Sequence, residues 1–229
     1  MIEYKRGDYM YNPNTGVWIE NAKDDFTEHF ETTYYLKYNI EKAIYSLEKI
    51  MKVKIDFSEF SNRCVYYHFY VDNLLNAIGH IRRRFFNNKA NQERIERNKK
   101  EYNYIFINEQ GKKIYNYPII GDNSIRNFIE HIDEKDEMLM KMGVYNGSFN
   151  VIYKGMNQQI KKDLLNSEKK QNNLLNLLSK EYKILTINNN NNVVREYKLD
   201  LIELNNELKR LKKINDKIWS FLTDNLFCK

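Results

Sequence analysis

An all-α bundle with small β-hairpin decorations and a long C-terminal helix is the fold class this sequence predicts. Three observations carry it. Proline occurs twice and glycine eight times in 229 residues, so residues that interrupt helices are scarce. Apolar residues recur three and four apart over long stretches, as in Ile40, Ile44, Leu47 and Met51. The β-prone runs are short and lie between the helical ones.

Taken in order, residues 1–26 mix Tyr, Asn, Gly16 and Pro13 and read as an irregular arm. The helical spacing begins at about Thr27 and runs to Lys52. A second helix starts after Asp56 or Ser58, either of which is a good cap, and runs to about Phe86 with Tyr67, Val71, Leu74, Leu75 and Ile78 inward. Residues 87–103 are a polar extension or a separate helix. Tyr104–Ile107 and Lys113–Ile120 read as a hairpin-like excursion or an ordered loop around Glu109-Gln110-Gly111, ending at Pro118. Asp122, Asn123 or Ser124 then caps a helix over 124–142, stopped by Gly143. A short β-prone run, Phe149–Tyr153, precedes a helix expected over 156–180 with Ile160, Leu164, Leu174, Leu175 and Leu178 inward. Tyr182–Ile187 and Val193–Tyr197 flank five asparagines as a hairpin. The last helix, 199–225, spaces Leu204, Leu208, Leu211, Ile214, Ile218 and Leu222 along one side. The expected organisation is an arm (1–26), a helical bundle (27–143) and a C-terminal helical extension with a hairpin (144–229), the last two packed as one domain.

Composition narrows the function classes. Apolar residues are 42% and charged residues 30%, a soluble globular balance. The first residues, MIEYKRGDYMYNPNTG, lack the apolar stretch of a signal peptide. No apolar run reaches the roughly 18–20 residues of a membrane span, so no membrane association is expected. Cys64 and Cys228 form neither a disulfide framework nor a ligand pair, which makes a reducing, cytoplasmic setting the expectation. The four histidines, His29, His68, His80 and His131, show no zinc spacing. The carboxylates Asp133, Glu134, Asp136 and Glu137 lack the alternation and glycine of a calcium loop. No glycine-rich phosphate loop and no nucleophile elbow is present. Neither a metal nor a cofactor is therefore expected.

The net charge of +6 permits an anionic partner. Its densest source is residues 81–101, IRRRFFNNKANQERIERNKKE, with eight Lys/Arg and three Glu. Arg82, Arg83 and Arg84 followed by two phenylalanines are candidates for gripping a phosphate backbone. The alternative is a solvated helix end, where cations stabilise the macrodipole without a ligand. Three consecutive residues also fan out around a helix and cannot all face one ligand.

A second candidate is IRNFIEHIDEKDE, residues 125–137. At ~100° per residue, Ile125, Phe128, Ile129, Ile132 and Leu139 form one stripe. The opposite face holds Arg126, Asn127, Glu130 and His131, with Arg126 and His131 ~140° apart and Glu130 between them. An ordinary reading is a charged outer face in which Arg126 pairs with Glu130 at i, i+4.

The string Arg126-Asn127-x-x-x-His131 resembles the signature of the HEPN superfamily: an Arg, usually a polar residue next, then a His after four to six intervening residues, late in a compact helical bundle. The match covers about a dozen residues directly, and the helical pattern over 27–142 is compatible with it. The resemblance implies metal-independent RNA cleavage of the toxin or defence kind, in a homodimer whose two Arg/His pairs meet at one cleft. It implies His131 as general base or acid, Arg126 as the stabiliser of charge on the phosphate, and Asn127 as an orienting group. Glu130 would be accessory, raising the His131 pKa or holding Arg126. An RNA substrate and an antitoxin or other protein partner follow as expectations. The rival expectation is a non-catalytic all-α binding or scaffold protein using the same polar groove.

Overall fold

The computed structural model describes residues 9–12, 17–20, 25–52, 60–86, 92–107, 113–122, 141, 145–166, 171–188 and 193–227. Its framework is three long helices. The first, α1 (Asp25–Lys52), and the second, α2 (Phe60–Phe86), run antiparallel: Tyr35 meets His80 at one end and Tyr45 meets Tyr70 ten residues on. Leu36, Ile40, Ala43, Leu47 and Ile50 of α1 are buried at helical spacing, and so are Tyr67, Val71, Leu74, Ile78, Ile81 and Phe85 of α2. Each such aliphatic or Phe side chain contributes roughly 1.5–3 kcal/mol of burial free energy before the entropy of ordering is set against it. The last helix, here α6 (Leu201–Phe227), closes the other flank of α1. Its start is fixed by Asp200, whose Oδ1 accepts from the amides of Ile202 and Glu203 at 2.8 and 2.9 Å, a cap of the usual kind.

Between α2 and the sheet lie α3 (Gln92–Glu101), β3 (Ile105–Ile107), β4 (Lys113–Tyr115) and a single turn, α4 (Pro118–Gly121). Helix α3 has one apolar residue, Ile95, so it cannot dock by hydrophobic burial alone. Polar contacts supplement it. The buried Asn98 donates to the Arg84 carbonyl at 2.9 Å, Arg94 meets Glu28 at 2.9 Å, and Glu101 lies 2.8 Å from His29.

The sheet is larger than decoration. Strands β5 (Tyr145–Ile152), β6 (Gln171–Asn176), β7 (Glu181–Asn188) and β8 (Val193–Asp200) lie side by side in that order. The β5–β6 pair is parallel and the other two are antiparallel. A parallel pair needs a crossover, which contains α5 (Gln158–Asn166). Alternation along each strand divides the two faces. Val151 and Leu175 join the main helical core; Ile152 and Leu174 face a second cluster with Tyr153, Met156, Leu164 and Leu165.

The fold is thus helix-dominated, with a four-stranded sheet where the sequence suggested hairpins alone. Three expectations are corrected. Residues 156–180 are not one helix: α5 stops at Asn166 and Leu174 and Leu175 lie on β6, facing opposite ways, while Ile160 and Leu178 are exposed. The arm 1–26 contains a hairpin, β1 (Tyr9–Asn12) paired with β2 (Val17–Glu20), and the start of α1. The segment expected to be β-prone up to Ile120 is strand only as far as Tyr115, because Pro118 starts the turn α4. The helix expected over 124–142 falls, but for Lys141, outside the described residues.

Candidate functional site

Arg126, Asn127, Glu130 and His131 lie outside the described residues. What is described is the turn from which the chain enters that segment, and it is held from every side. Glu207 of α6 is buried, and its two oxygens accept from the amides of Ile119 and Ile120 at 2.9 Å each. Those are first-turn amides with no partner inside α4, and Pro118 ahead of them has no N–H to satisfy. Burial pushes the Glu207 carboxyl up to about 7, against the opposing pull of the two amides and Arg210. Arg82 of α2 donates from Nε to the Gly121 carbonyl at 3.1 Å, and Arg210 donates to the Asn116 carbonyl at 3.0 Å.

Three buried tyrosines complete the clamp. Tyr117 donates to the Tyr102 carbonyl at 3.0 Å, Tyr104 to the Tyr117 carbonyl at 3.1 Å, and Tyr102 to Asn215 Oδ1 at 2.7 Å. Burial raises the pKa of all three phenols, so they stay protonated as donors at neutral pH.

The arginine run separates as helical geometry requires. Arg82 is buried, with its guanidinium also 4.8 Å from the Phe86 ring. Arg83 is exposed. Arg84 is half-buried with its guanidinium 4.0 Å from the Tyr35 ring. Only Arg83 and Arg84 therefore present charge to the surface.

Arg84 belongs to a polar node on the seam between α1 and α2. The Tyr35 hydroxyl lies 2.6 Å from His80 Nδ1, with the rings edge to face. Burial, then the charges of Arg83, Lys42 and Arg84, hold the His80 pKa below its ordinary value. In the tautomer protonated on Nε2, the neutral imidazole accepts a hydrogen bond from the Tyr35 hydroxyl at Nδ1 and keeps one N–H to donate. His80 and Arg84 are four residues apart on one helix face, so the node offers a donor and a fixed cation side by side.

The remaining histidines are placed otherwise. His29 is buried against Glu101, and His68 stacks on Phe149 at 5.0 Å beside Asp72. Among the described residues no group of three or more His, Cys, Asp or Glu is placed to hold a metal ion, and no helix is long and apolar enough to cross a membrane.

Sequence reasoning reaches Tyr35 only as one of the paired tyrosines Tyr34, Tyr35, Tyr66 and Tyr67, expected to be core and core-rim residues rather than a base-stacking platform. It reaches His80 only as one of four histidines without zinc spacing, and it does not single out Glu207. For Glu207 a signal existed: it falls between Leu204, Leu208 and Leu211 on the buried stripe, where a carboxylate needs donors. Tyr35 and His80 are 45 positions apart, and nothing local pairs them. Compared with known proteins, the chain matches no family model, no curated protein and no solved structure.

Proposed function

We propose that the chain is a metal-independent endoribonuclease of toxin or defence type, acting as a homodimer in the cytoplasm. The observation that carries this reading is the Arg126-Asn127-x-x-x-His131 string, which resembles the HEPN signature, in a helix-dominated chain. The clamped turn supports it, because a segment entered from a fixed turn at Asp122 has a fixed origin, and catalytic groups need such placement.

In this reading the ribose 2′-hydroxyl attacks the adjacent phosphorus. A 2′,3′-cyclic phosphate forms as the bond to the 5′-oxygen breaks. One copy of His131 takes the 2′-hydroxyl proton and the other protonates the leaving 5′-oxygen. Arg126 stabilises the charge that develops on the phosphate oxygens. Asn127 orients the phosphate, and Glu130 holds Arg126 or raises the His131 pKa. A protein antitoxin is the partner this class of activity calls for.

The purified protein is expected to cleave RNA in EDTA and to leave cyclic-phosphate ends. His131→Ala and Arg126→Ala are each expected to lower the rate by roughly 10²-fold or more, the usual contribution of acid–base catalysis for the first and of charge stabilisation in the transition state for the second, with an unchanged circular dichroism spectrum. Wild-type rates from both variants would end the assignment. Tight binding of a protein partner without RNA cleavage would favour the scaffold alternative.

A further inference from the structure

The outer surface of the α1–α2 pair carries an arrangement the motif does not explain. Tyr38 and Tyr45 on α1, and Tyr66 and Phe69 on α2, keep 59%, 56%, 43% and 59% of their surface in solvent. Exposed aromatic rings in such number on one surface call for a partner. At ~100° per residue, Tyr38, Tyr45 and Phe69 fall opposite the buried stripes and Tyr66 on the flank toward the seam, where the Tyr45 ring also meets Tyr70.

Cations are interleaved with these rings. Lys42 and Lys49 lie on the seam side of α1, and the Lys49 ammonium sits 5.2 Å from the Tyr45 ring. The Tyr35–His80–Arg84 node closes one end, with Arg83 and Lys42 near enough to His80 to act on it electrostatically. From Arg84 to Tyr66 the seam extends ~27 Å at 1.5 Å per residue.

The described carboxylates of the two helices are turned elsewhere. Glu41 pairs with Lys212 of α6, Glu48 with Lys52, Asp72 with His68, and Glu28 with Arg94 and Arg97. Glu31 and Glu28 both lie within the field of the Arg84 guanidinium, at that end of the seam. A second copy of this chain fits such a surface poorly. A two-fold contact through the seam would bring the Lys42, Lys49 and Arg84 charges of both copies into one interface with few carboxylates to offset them. A polyanion with flat apolar rings fits both features.

We infer that the α1–α2 seam is a binding track for single-stranded RNA, on which Tyr38, Tyr45, Tyr66 and Phe69 stack bases while Lys42, Lys49 and Arg84 contact the backbone and the node formed by Tyr35 and His80 receives a phosphate. The choice of RNA rests on the cleavage reading; the track itself rests on the seam alone. Stacking on rings beside a basic groove is the general means of holding single strands without reading sequence.

The test uses the full-length protein and a fluorescein-labelled 2′-O-methyl dodecauridylate, which has no 2′-hydroxyl to attack and so reports binding alone. Anisotropy is expected to show saturable binding. Replacing the exposed rings together (Tyr45→Ser with Phe69→Ser) is expected to weaken it by at least about fivefold per ring, the lower end of measured stacking losses. Lys42→Glu with Lys49→Glu is expected to flatten the dependence of log affinity on log salt by about 1.4, at ~0.7 per backbone contact. Both pairs are surface changes, and an unchanged melting temperature checks that they fold.

Absence of saturable binding overturns the inference, and so does wild-type affinity in the Tyr45→Ser/Phe69→Ser protein. Sedimentation showing a dimer that this pair dissolves would assign the seam to self-association instead. Binding that depends on the seam, with no cleavage of ordinary RNA, sustains the track and removes the nuclease reading. Cleavage indifferent to the seam does the reverse.

Discussion

Glu207→Ala is expected to unfold at a clearly lower urea concentration than wild type, with little change in the slope of the transition. Two backbone amides lose their acceptors, Ile120 in a buried place and Ile119 in a partly buried one. Each buried amide so orphaned costs about 1–3 kcal/mol. Part of this is offset at neutral pH, because the carboxylate no longer has to be desolvated. The pH dependence identifies the group. The folded-state pKa of about 7 lies above the ordinary 4.5, so folding strengthens proton binding here. The resulting stability is fully present below about pH 4.5 and declines as pH rises toward 7. Glu207→Gln, which does not titrate, should flatten that decline in urea titrations between pH 5 and 8. A decline of unchanged steepness would assign it to another group. Glu48, Glu196 and Asp216, whose pKa values are lowered, act with the opposite sign, losing stability as pH falls.

Gly121→Ala is expected to be as damaging by a steric route. A methyl group at Gly121 would land far inside van der Waals contact distance of the Tyr104 hydroxyl oxygen. Tyr104 cannot move aside cheaply: it is buried, stacked on Phe85 at 5.1 Å, and bonded to the Tyr117 carbonyl. Overpacking of this kind costs typically about 1–3 kcal/mol, and the loss of the Tyr104 hydrogen bond adds to it. Thermal unfolding measures the loss directly. The double variant Gly121→Ala/Tyr104→Phe, which removes the clashing oxygen, should regain part of the stability. A double variant no more stable than Gly121→Ala alone would locate the damage elsewhere.

The parts of the fold legible in the sequence are those where burial is periodic along one element. Helices α1, α2 and α6 each declare a stripe of apolar residues, because each buries a continuous face against neighbours on the same side. Strand β6 did not, for an opposite reason. Its two leucines, Leu174 and Leu175, are adjacent and both buried, one toward α5 and one toward the helices. A strand covered on both faces has no alternation to read, and two leucines with Leu164 and Leu178 around them mimic a helical ridge. The burial of Arg82 was equally silent. Its acceptor is Gly121, 39 positions away, so the residue reads as one of three like cations until the turn is in place. The candidate motif, by contrast, is a purely local string, legible in full while its surroundings are not.

The packing of α6 on α1 has a consequence for synthesis. Lys37 reaches Asp216, Glu41 reaches Lys212, and Phe30 lies 4.9 Å from Trp219. These partners are separated by well over a hundred residues of chain. A ribosome will have made the whole of α1, α2 and the sheet before the cover for this flank of α1 exists. The nascent chain therefore carries an open apolar flank for most of its elongation, and the closed form becomes available only when residues 201–227 are free to fold back.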